Sequence, residues 1–281
     1  MAACTQSADG FSGYFHWKTS HDDCNIGKIL TDICTISVFP HDQKPGITGS
    51  LMSALAKNGI RPYGFASSPS AMTVLVNYLD YEGAIYGLFD IFEFSTYSSP
   101  LDWHAAYRGQ EELLHEIVCS YQEEIIKVYN ITHQSDLDLL TIRLPLKCLG
   151  NFGAALLELN SLRLKMPFLV SKSSLDGESI HFAFCFAALY HDEVGQCLDR
   201  HLLNVELSHI GPVSVFFLHG PHFGDRYGIA NALVKALREA GIPTLAMSCA
   251  VSSMSVVVYA EDENRTIEAL NSSFLVPSRR L

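Results

Sequence analysis

The feature that most constrains the fold of this chain is an internal repeat. The segment GITGSLMSALAKNGI, which begins at Gly46, aligns without gaps with GIANALVKALREAGI, which begins at Gly228. The alignment continues to Met72 and Met254, which open the similar segments MTVLVNY and MSVVVYA. A weaker third copy places Gly46 on Gly153, at the start of GAALLELNSLRL. Self-similarity at a fixed offset indicates that one supersecondary unit occurs several times along the chain.

The aligned segment of each repeat is an amphipathic helix. In the first copy the apolar residues Ile47, Leu51 and Leu55 recur at the spacing of one helix face. Pro45 suits the first helical turn, where its missing N–H costs nothing. Gly59 suits the position after the last turn, where a left-handed residue is common. A strand is predicted before this helix in CTISVF and another after it in AMTVLVNYL.

A second helix follows the strands of each copy, in EGAIYGLFDIFEF, HDEVGQCLDRHL and NRTIEALNSSF. The resulting order of strand, helix, strand, strand, helix and strand is the split βαβ arrangement. We therefore predict an α+β fold built of tandem ferredoxin-like βαββαβ units with antiparallel sheets. Both helices of a unit lie on one face of its sheet, so a neighbouring unit or an added helix must cover the other face.

The spacing of the repeats divides the chain into an N-terminal segment and three units. The boundaries are 1–28 for the segment, 29–132 for the first unit, 133–204 for the second and 205–281 for the third. The first unit contains extra residues in the range 98–129, where Pro100 can open a helix. We predict an inserted helix at about 101–122, and after it a strand, IIKVYNI, as an added element of the first unit.

Composition excludes several classes of partner. The formal charge of −11 disfavours nucleic acid and anionic membrane surfaces. No apolar run reaches the roughly 18 residues of a membrane span. The start of the sequence lacks the basic and apolar regions of a secretory signal, so a cytoplasmic protein is expected.

The polar residues do not suggest catalysis or a cofactor. The eight cysteines form no C-x-x-C pair and are interpreted as buried, reduced thiols. His209, His219 and His222 are near one another in sequence but have no second clustered set of ligands, so no metal site is predicted. An enzyme needs convergent acid, base or nucleophile residues. No such set can be assembled, and we predict a protein that is not an enzyme.

The repeated segments resemble a known family. DQKPGITGSLMSALAKNGI and GDRYGIANALVKALREAGIPTLAMS are similar to the ACT domain, a small regulatory module that binds amino acids. The nearest likeness is to the paired ACT modules in the regulatory part of aspartokinase. The resemblance implies a non-catalytic regulatory or sensor protein that binds a small amino acid between modules, with a partner enzyme possible. The alternative is a scaffold that dimerises, or docks on an enzyme, without a ligand.

The resemblance also implies which residues would bind the effector. N–H groups at the start of the first helix can hold a carboxylate, and a nearby acidic side chain can pair with the ammonium group. In the first unit this loop contributes Asp42, Lys44, Pro45, Gly46 and Ile47, and in the third unit it contributes Asp225, Arg226, Tyr227, Gly228 and Ile229. The second strand of a partner module offers Ser67, Ser68, Ser248, Cys249 and Ser252. The second unit reads LKCLGNFGAAL here and has no charged pair, which favours a structural role.

Two further expectations follow from three units in one chain. One unit is left without an internal pair, so we expect a homodimer. The substitution Gly228→Val should weaken ligand binding without unfolding the chain if Gly228 has helical backbone angles. With a positive φ, the same substitution should also destabilise the fold.

Overall fold

This computed structural model describes residues 3–7, 10–14, 31–107, 126–174, 176–203, 205–220, 223, 228–250 and 253–276, with the backbone alone at 3–7, 10–14 and 107. The strands are β1 Ala3–Ser7, β2 Gly10–Tyr14, β3 Ile33–Val38, β4 Pro62–Ser67, β5 Met72–Asn77, β6 Asn130–Pro145, β7 Phe168–Ser173, β8 Ser179–Ala187, β9 Glu206–His219, β10 Ala246–Ala250 and β11 Ser253–Tyr259. The helices are α1 Pro45–Lys57, α2 Tyr81–Phe89, α3 Pro100–Tyr107, α4 Leu149–Ser161, α5 His191–His201, α6 Ile229–Glu239 and α7 Glu263–Ser273.

All the strands belong to one sheet. Their order is β2-β1-β10-β11-β9-β6-β8-β7-β4-β5-β3. The paired strands are antiparallel throughout. The prediction of an α+β fold with antiparallel sheets is confirmed. The hairpin of β1 and β2, which extends the sheet beyond β10, was not predicted from the sequence.

The second and third units share strands. The second unit runs through β6, α4, β7, β8, α5 and β9, with strand order β7-β8-β6-β9, as the split βαβ arrangement requires. The third unit runs through β9, α6, β10, β11 and α7, and β6 takes the place of its fourth strand. Both shared strands are long, with 16 residues in β6 and 14 in β9. Each therefore serves two units at once.

The strand predicted in IIKVYNI pairs with elements of the third unit. Lys127 makes an isolated parallel bridge to Leu275, and regular pairing begins at Asn130, which faces His219 of β9. In the described residues, the first unit consists of β3, α1, β4, β5 and α2. Helix α3 begins at Pro100, where the inserted helix was predicted; residues 108–125 lie outside the described part.

The first and second units are related by an approximate two-fold axis. The Phe65 N–H donates to Ser171 Oγ at 2.9 Å, and the Leu169 N–H donates to Ser67 Oγ at 2.7 Å. These reciprocal bonds join β4 to β7, which pair antiparallel at Ala66. The two units therefore form one continuous sheet.

Helices α1 and α4 cross on this axis at two glycines. A Cβ on Gly49 would lie 2.5 Å from the Gly153 carbonyl oxygen, and a Cβ on Gly153 would lie 2.8 Å from the Gly49 oxygen. Gly49, rather than Gly46, is therefore the equivalent of Gly153, and the sequence alignment of the second copy was wrong by one helical turn. The alignment of the third copy agrees with the structure, since Gly59 and Gly241 both end their helices with positive φ, 65° and 67°.

Three apolar clusters hold the layers together. The largest lies beneath α1, α2, α4 and α5, and a second lies beneath α6 and α7. The third joins the opposite sheet faces of the second and third units, where Leu139, Phe168 and Val170 are buried with Phe217 and Val257. The chain thus has two sheet layers face to face with helices outside. None of the helices in the described ranges is long and apolar enough to span a membrane.

Candidate functional site

A cavity of about 900 Å³ lies where the end of α1 meets the start of α4. Its walls come from the α1 exit, the α4 start, the β7–β8 hairpin and the first residue of β9. The lining residues are Ala56, Gly59, Ile60, Arg61, Arg143, Pro145, Leu146, Lys147, Leu149, Asp176, Gly177, Glu178, Ser179 and Glu206. The volume is within the range of small-molecule sites in proteins, roughly 300–1,000 Å³.

The cavity offers groups for both ends of a zwitterion. Positive charge comes from Arg61, Arg143 and Lys147, and negative charge comes from Asp176, Glu178 and Glu206. The α4 start is a 3₁₀ turn, Leu146–Cys148, that no side chain caps. The N–H of Leu146 donates to the Glu178 carbonyl oxygen at 2.9 Å, so the groups left for a ligand are the N–H groups of Lys147 and Cys148. The first N–H groups of a helix have no acceptor inside the helix and favour an anion. An amino acid carries the complementary charges.

The two ends of the pseudo-symmetric helix pair differ in the residue that faces the helix start. At the α1 start, Asn160 of α4 accepts a hydrogen bond from the Gly46 N–H through its Oδ1, at 3.3 Å. The residue related to Asn160 at the α4 start is Ala56, whose Cβ lies 3.3 Å from where a Cβ of Gly150 would be. A methyl group cannot cap the helix as an amide does. The cavity at the α4 start therefore lacks the amide that lies at the α1 start.

The β7–β8 hairpin brings charges to the cavity. Gly177 has φ +75°, and a Cβ there would meet the Arg61 guanidinium at 1.3 Å, so Arg61 of the first unit lies directly against this turn. Asp176 accepts from Ser174 Oγ at 2.5 Å and from the Glu178 N–H at 2.9 Å. These hydrogen bonds lower the pKa of the Asp176 carboxyl, with smaller contributions from the nearby arginines. Asp176 is consequently an anion at neutral pH.

In the loop predicted as the effector site of the first unit, several polar groups already have partners within the chain. Asp42 has φ +52° and lies 3.3 Å from Lys44 Nζ, and its carbonyl oxygen accepts from Lys165 Nζ at 2.8 Å. Pro45 is buried as the first residue of α1, and Ile47 packs against the largest core cluster. The N–H of Gly46 already has an acceptor in the Asn160 side chain.

The predicted strand residues are brought together from different units. Ser67 and Ser68 are buried at the end of β4, and Ser68 Oγ accepts from the Ala71 N–H at 2.9 Å. Ser248 of β10 donates to the carbonyl oxygen of Ser67 at 3.1 Å. Cys249 is also buried. These side chains join the first unit to the third and do not line the cavity.

The loop predicted in the third unit falls mostly outside the described residues. Asp225, Arg226, Tyr227 and Ser252 belong to that part of the chain. Gly228 is exposed with φ +89° and precedes α6, and Ile229 is buried as the first residue of that helix. Gly228 therefore differs from Gly46, which lies inside its helix.

Sequence reasoning missed the cavity because its charges come from separate elements. The segment LKCLGNFGAAL carries no charged pair of its own, so the α4 start was expected to be structural. Arg61, Asp176 and Glu206 reach it from three other places in the chain. Aligning Gly49 with Gly153 would have paired Ala56 with Asn160 and revealed the missing cap.

Comparisons with solved structures relate this fold to aspartate kinase. The chain superimposes on aspartate kinase from Synechocystis with a TM-score of 0.69 and 16% identity, over 89% of this chain and 41% of that one. The regulatory subunit of aspartate kinase from Thermus flavus matches with a TM-score of 0.47 and 12% identity, over 52% of this chain and 98% of that one. No family model and no curated protein sequence matches.

The chain spans about two-fifths of the length of the Synechocystis kinase. At this identity the likeness concerns the fold alone. The match to the Synechocystis kinase confirms, at the level of fold, the resemblance that the repeats indicated.

Proposed function

We propose that the chain is a non-catalytic regulatory protein that binds a small amino acid between its first and second units. The observation that carries the proposal is the uncapped start of α4, which opens into a cavity of about 900 Å³ with charges of both signs. A site between two units can couple binding to their relative position. An enzyme that contacts the chain could then respond to the ligand.

The charges of the cavity suggest how the ligand is oriented. Its carboxylate faces the N–H groups of Lys147 and Cys148 in the α4 turn and the side chain of Lys147. Its ammonium group faces Asp176, Glu178 or Glu206, which line the other side. The fold of the regulatory part of aspartate kinase is consistent with such a role, and the identity of the amino acid is left to experiment.

The loops at 42–47 and 225–229 remain proposed as further contact sites. The first is the pseudo-symmetric counterpart of the cavity and carries Asp42 and Lys44. Matched substitutions distinguish the sites: Lys147→Gln weakens binding if the ligand occupies the cavity, and Lys44→Gln weakens it if the ligand occupies the α1 start.

The direct test is calorimetry of the full chain with each of the twenty common amino acids. A ligand present at 100 times its dissociation constant also stabilises the fold by about 2.7 kcal/mol, so a thermal-shift screen identifies it first. The variant Ala56→Asn should weaken binding, because the amide can cap the α4 start as Asn160 caps α1 and so compete with the ligand carboxylate. Ala56 is exposed, so this substitution is compatible with the fold.

One result would refute the proposal. If no amino acid binds more tightly than about millimolar, roughly −4.1 kcal/mol, the chain is not an amino-acid sensor. The scaffold role would then take its place.

The scaffold role has an observation of its own. In the described residues, β3 pairs on one side only, with β5, and it is followed by the exposed Phe39. An unpaired strand edge with an exposed aromatic side chain can pair with a second copy of the chain. The expected homodimer is proposed to form there, and Phe39→Glu should then convert it to a monomer in light scattering, where the chain mass is 31.1 kDa.

A further inference from the structure

Two histidines and one aspartate converge where β6 and β9 bend between the second and third units. His191 Nδ1 lies 2.7 Å from Asp138 Oδ2, and His209 Nε2 lies 3.1 Å from Asp138 Oδ1. The two imidazole rings are 4.6 Å apart between centroids. The residues come from β6, the start of α5 and β9, so the fold rather than the local sequence assembles them.

The surroundings of this cluster expose both histidines and leave space for Asp138 and His209 to lie close together. The side chain of Asp138 is only 9% exposed, whereas those of His191 and His209 are 51% and 39% exposed. A Cβ on Gly211 would lie 2.2 Å from Asp138 Oδ1 and 2.9 Å from His209 Nε2. The absence of a side chain at Gly211 therefore gives the carboxylate and imidazole the space they occupy.

The donor atoms match a divalent transition metal. The three ligand atoms all lie within 4.8 Å of one another. Zinc binds imidazole nitrogen and carboxylate oxygen at about 2.0–2.2 Å, with a water molecule often completing the site. The atoms that face one another across the His–Asp hydrogen bonds are the atoms that would ligate the cation. The exposed histidines provide access from solvent and an open side for water.

We propose that Asp138, His191 and His209 form a binding site for a divalent transition-metal cation, represented by Zn²⁺. Asp192 and Glu193 follow His191 in the first turn of α5 and add negative charge to the same end of that helix. The cation would fasten β6, β9 and α5 together at the junction of two units. This site is separate from the proposed amino-acid cavity and does not depend on it.

A second cluster provides a contrast within the same chain. Glu158, Cys197 and His201 also bring their ligand atoms within 4.8 Å of one another. There, however, the Arg200 guanidinium already pairs with Glu158 and places a positive charge at the site. Burial, together with the Glu158 charge, raises the pKa of the Cys197 thiol to about 11, which keeps it protonated. Metal ligation requires the thiolate, so this cluster serves as the control.

The test is calorimetry of the full chain, freed of metal with a chelator and titrated with zinc chloride. The expected result is one Zn²⁺ per chain with micromolar or tighter affinity. Asp138→Asn and His191→Gln should each weaken binding at least about tenfold. His201→Gln, in the control cluster, should leave the affinity unchanged. Circular dichroism of the metal-free variants checks the fold, and the exposed position of His191 makes His191→Gln the decisive variant.

Because the chain has eight cysteines, a second measurement must show whether the bound metal has sulfur ligands. Cobalt(II) in place of zinc should give absorption bands of nitrogen and oxygen ligation, without a sulfur-to-cobalt charge-transfer band. The proposal is overturned if zinc does not bind at micromolar concentration, if His191→Gln binds as tightly as the unaltered chain, or if the cobalt spectrum shows sulfur ligation.

Discussion

The crossing of α1 and α4 allows a quantitative test of how the first two units are joined. Placing a methyl group at Gly49 brings it 2.5 Å from the Gly153 carbonyl oxygen, whereas ordinary contacts begin at 3.4 Å. The helices must therefore separate by about 0.9 Å at their closest point. The nearest atoms are the Gly153 carbonyl oxygen, the Leu157 backbone nitrogen and Leu156 Cβ, and none of these can rotate away. Overpacking of this kind costs about 1–3 kcal/mol.

A second glycine supplies the matched control. Gly195 lies inside α5, and nothing would lie within 4 Å of its Cβ. Gly195→Ala gains the helix propensity of alanine, about 0.5–1 kcal/mol, without a clash. Gly49→Ala gains the same propensity, which cancels when the two variants are compared. The free energies of unfolding should thus differ by about 1–3 kcal/mol, with Gly49→Ala the less stable.

Urea denaturation followed by circular dichroism measures the free energy of unfolding of both variants. Thermal melts rank the same variants by melting temperature. Gly153→Ala, with a clash of 2.8 Å to the Gly49 oxygen, should behave like Gly49→Ala. If Gly49→Ala proves as stable as Gly195→Ala, the two helices are not in backbone contact. The pseudo-symmetric pairing of the units would then be incorrect.

Three further predictions concern single residues. Because Gly228 has φ +89°, Gly228→Val should destabilise the fold by about 1–2 kcal/mol in urea. Arg163 ends α4 with φ +57°, where Gly59 ends α1, so Arg163→Gly should stabilise by up to about 1 kcal/mol in the same assay. Burial lowers the pKa of His41 from 6.5 to about 4. As the pH falls from 7 towards 4, this histidine is protonated in the unfolded chain before it is protonated in the folded one, so the free energy of unfolding falls. The loss is about 2 kcal/mol between pH 7 and pH 5, and His41→Gln should remove it.

The fold was predictable where each repeat carries its own local signals. Pro45 at the start of α1 and Gly59 after its end mark a helix that the structure contains within those bounds. The offset between Gly59 and Gly241 pairs two residues that both have left-handed angles after their helices. Local spacing suffices there because caps and periodicity are properties of short segments.

Features that depend on distant pairing were not predictable in the same way. The second copy ends α4 with Arg163 in place of glycine, so the residue type that would have aligned it is absent. The cap of Gly46 by Asn160 joins residues far apart in sequence, and no local pattern indicates it. The Asp138–His191–His209 cluster likewise requires the topology, because its members lie on three elements.

The shared strands place both proposed sites on one structural element. Arg143 of β6 pairs with Glu206 of β9 at the cavity, and Leu140 pairs with His209 further along the same ladder, beside Asp138. Beyond the bend, the same two strands complete the third unit. The boundary predicted at 132/133 falls inside β6. The sequence repeats therefore do not correspond to separate pieces of the sheet, because β6 continues across the boundary. The ladder of β6 and β9, although its register shifts between Gln134 and Leu139, connects the second unit directly to the third.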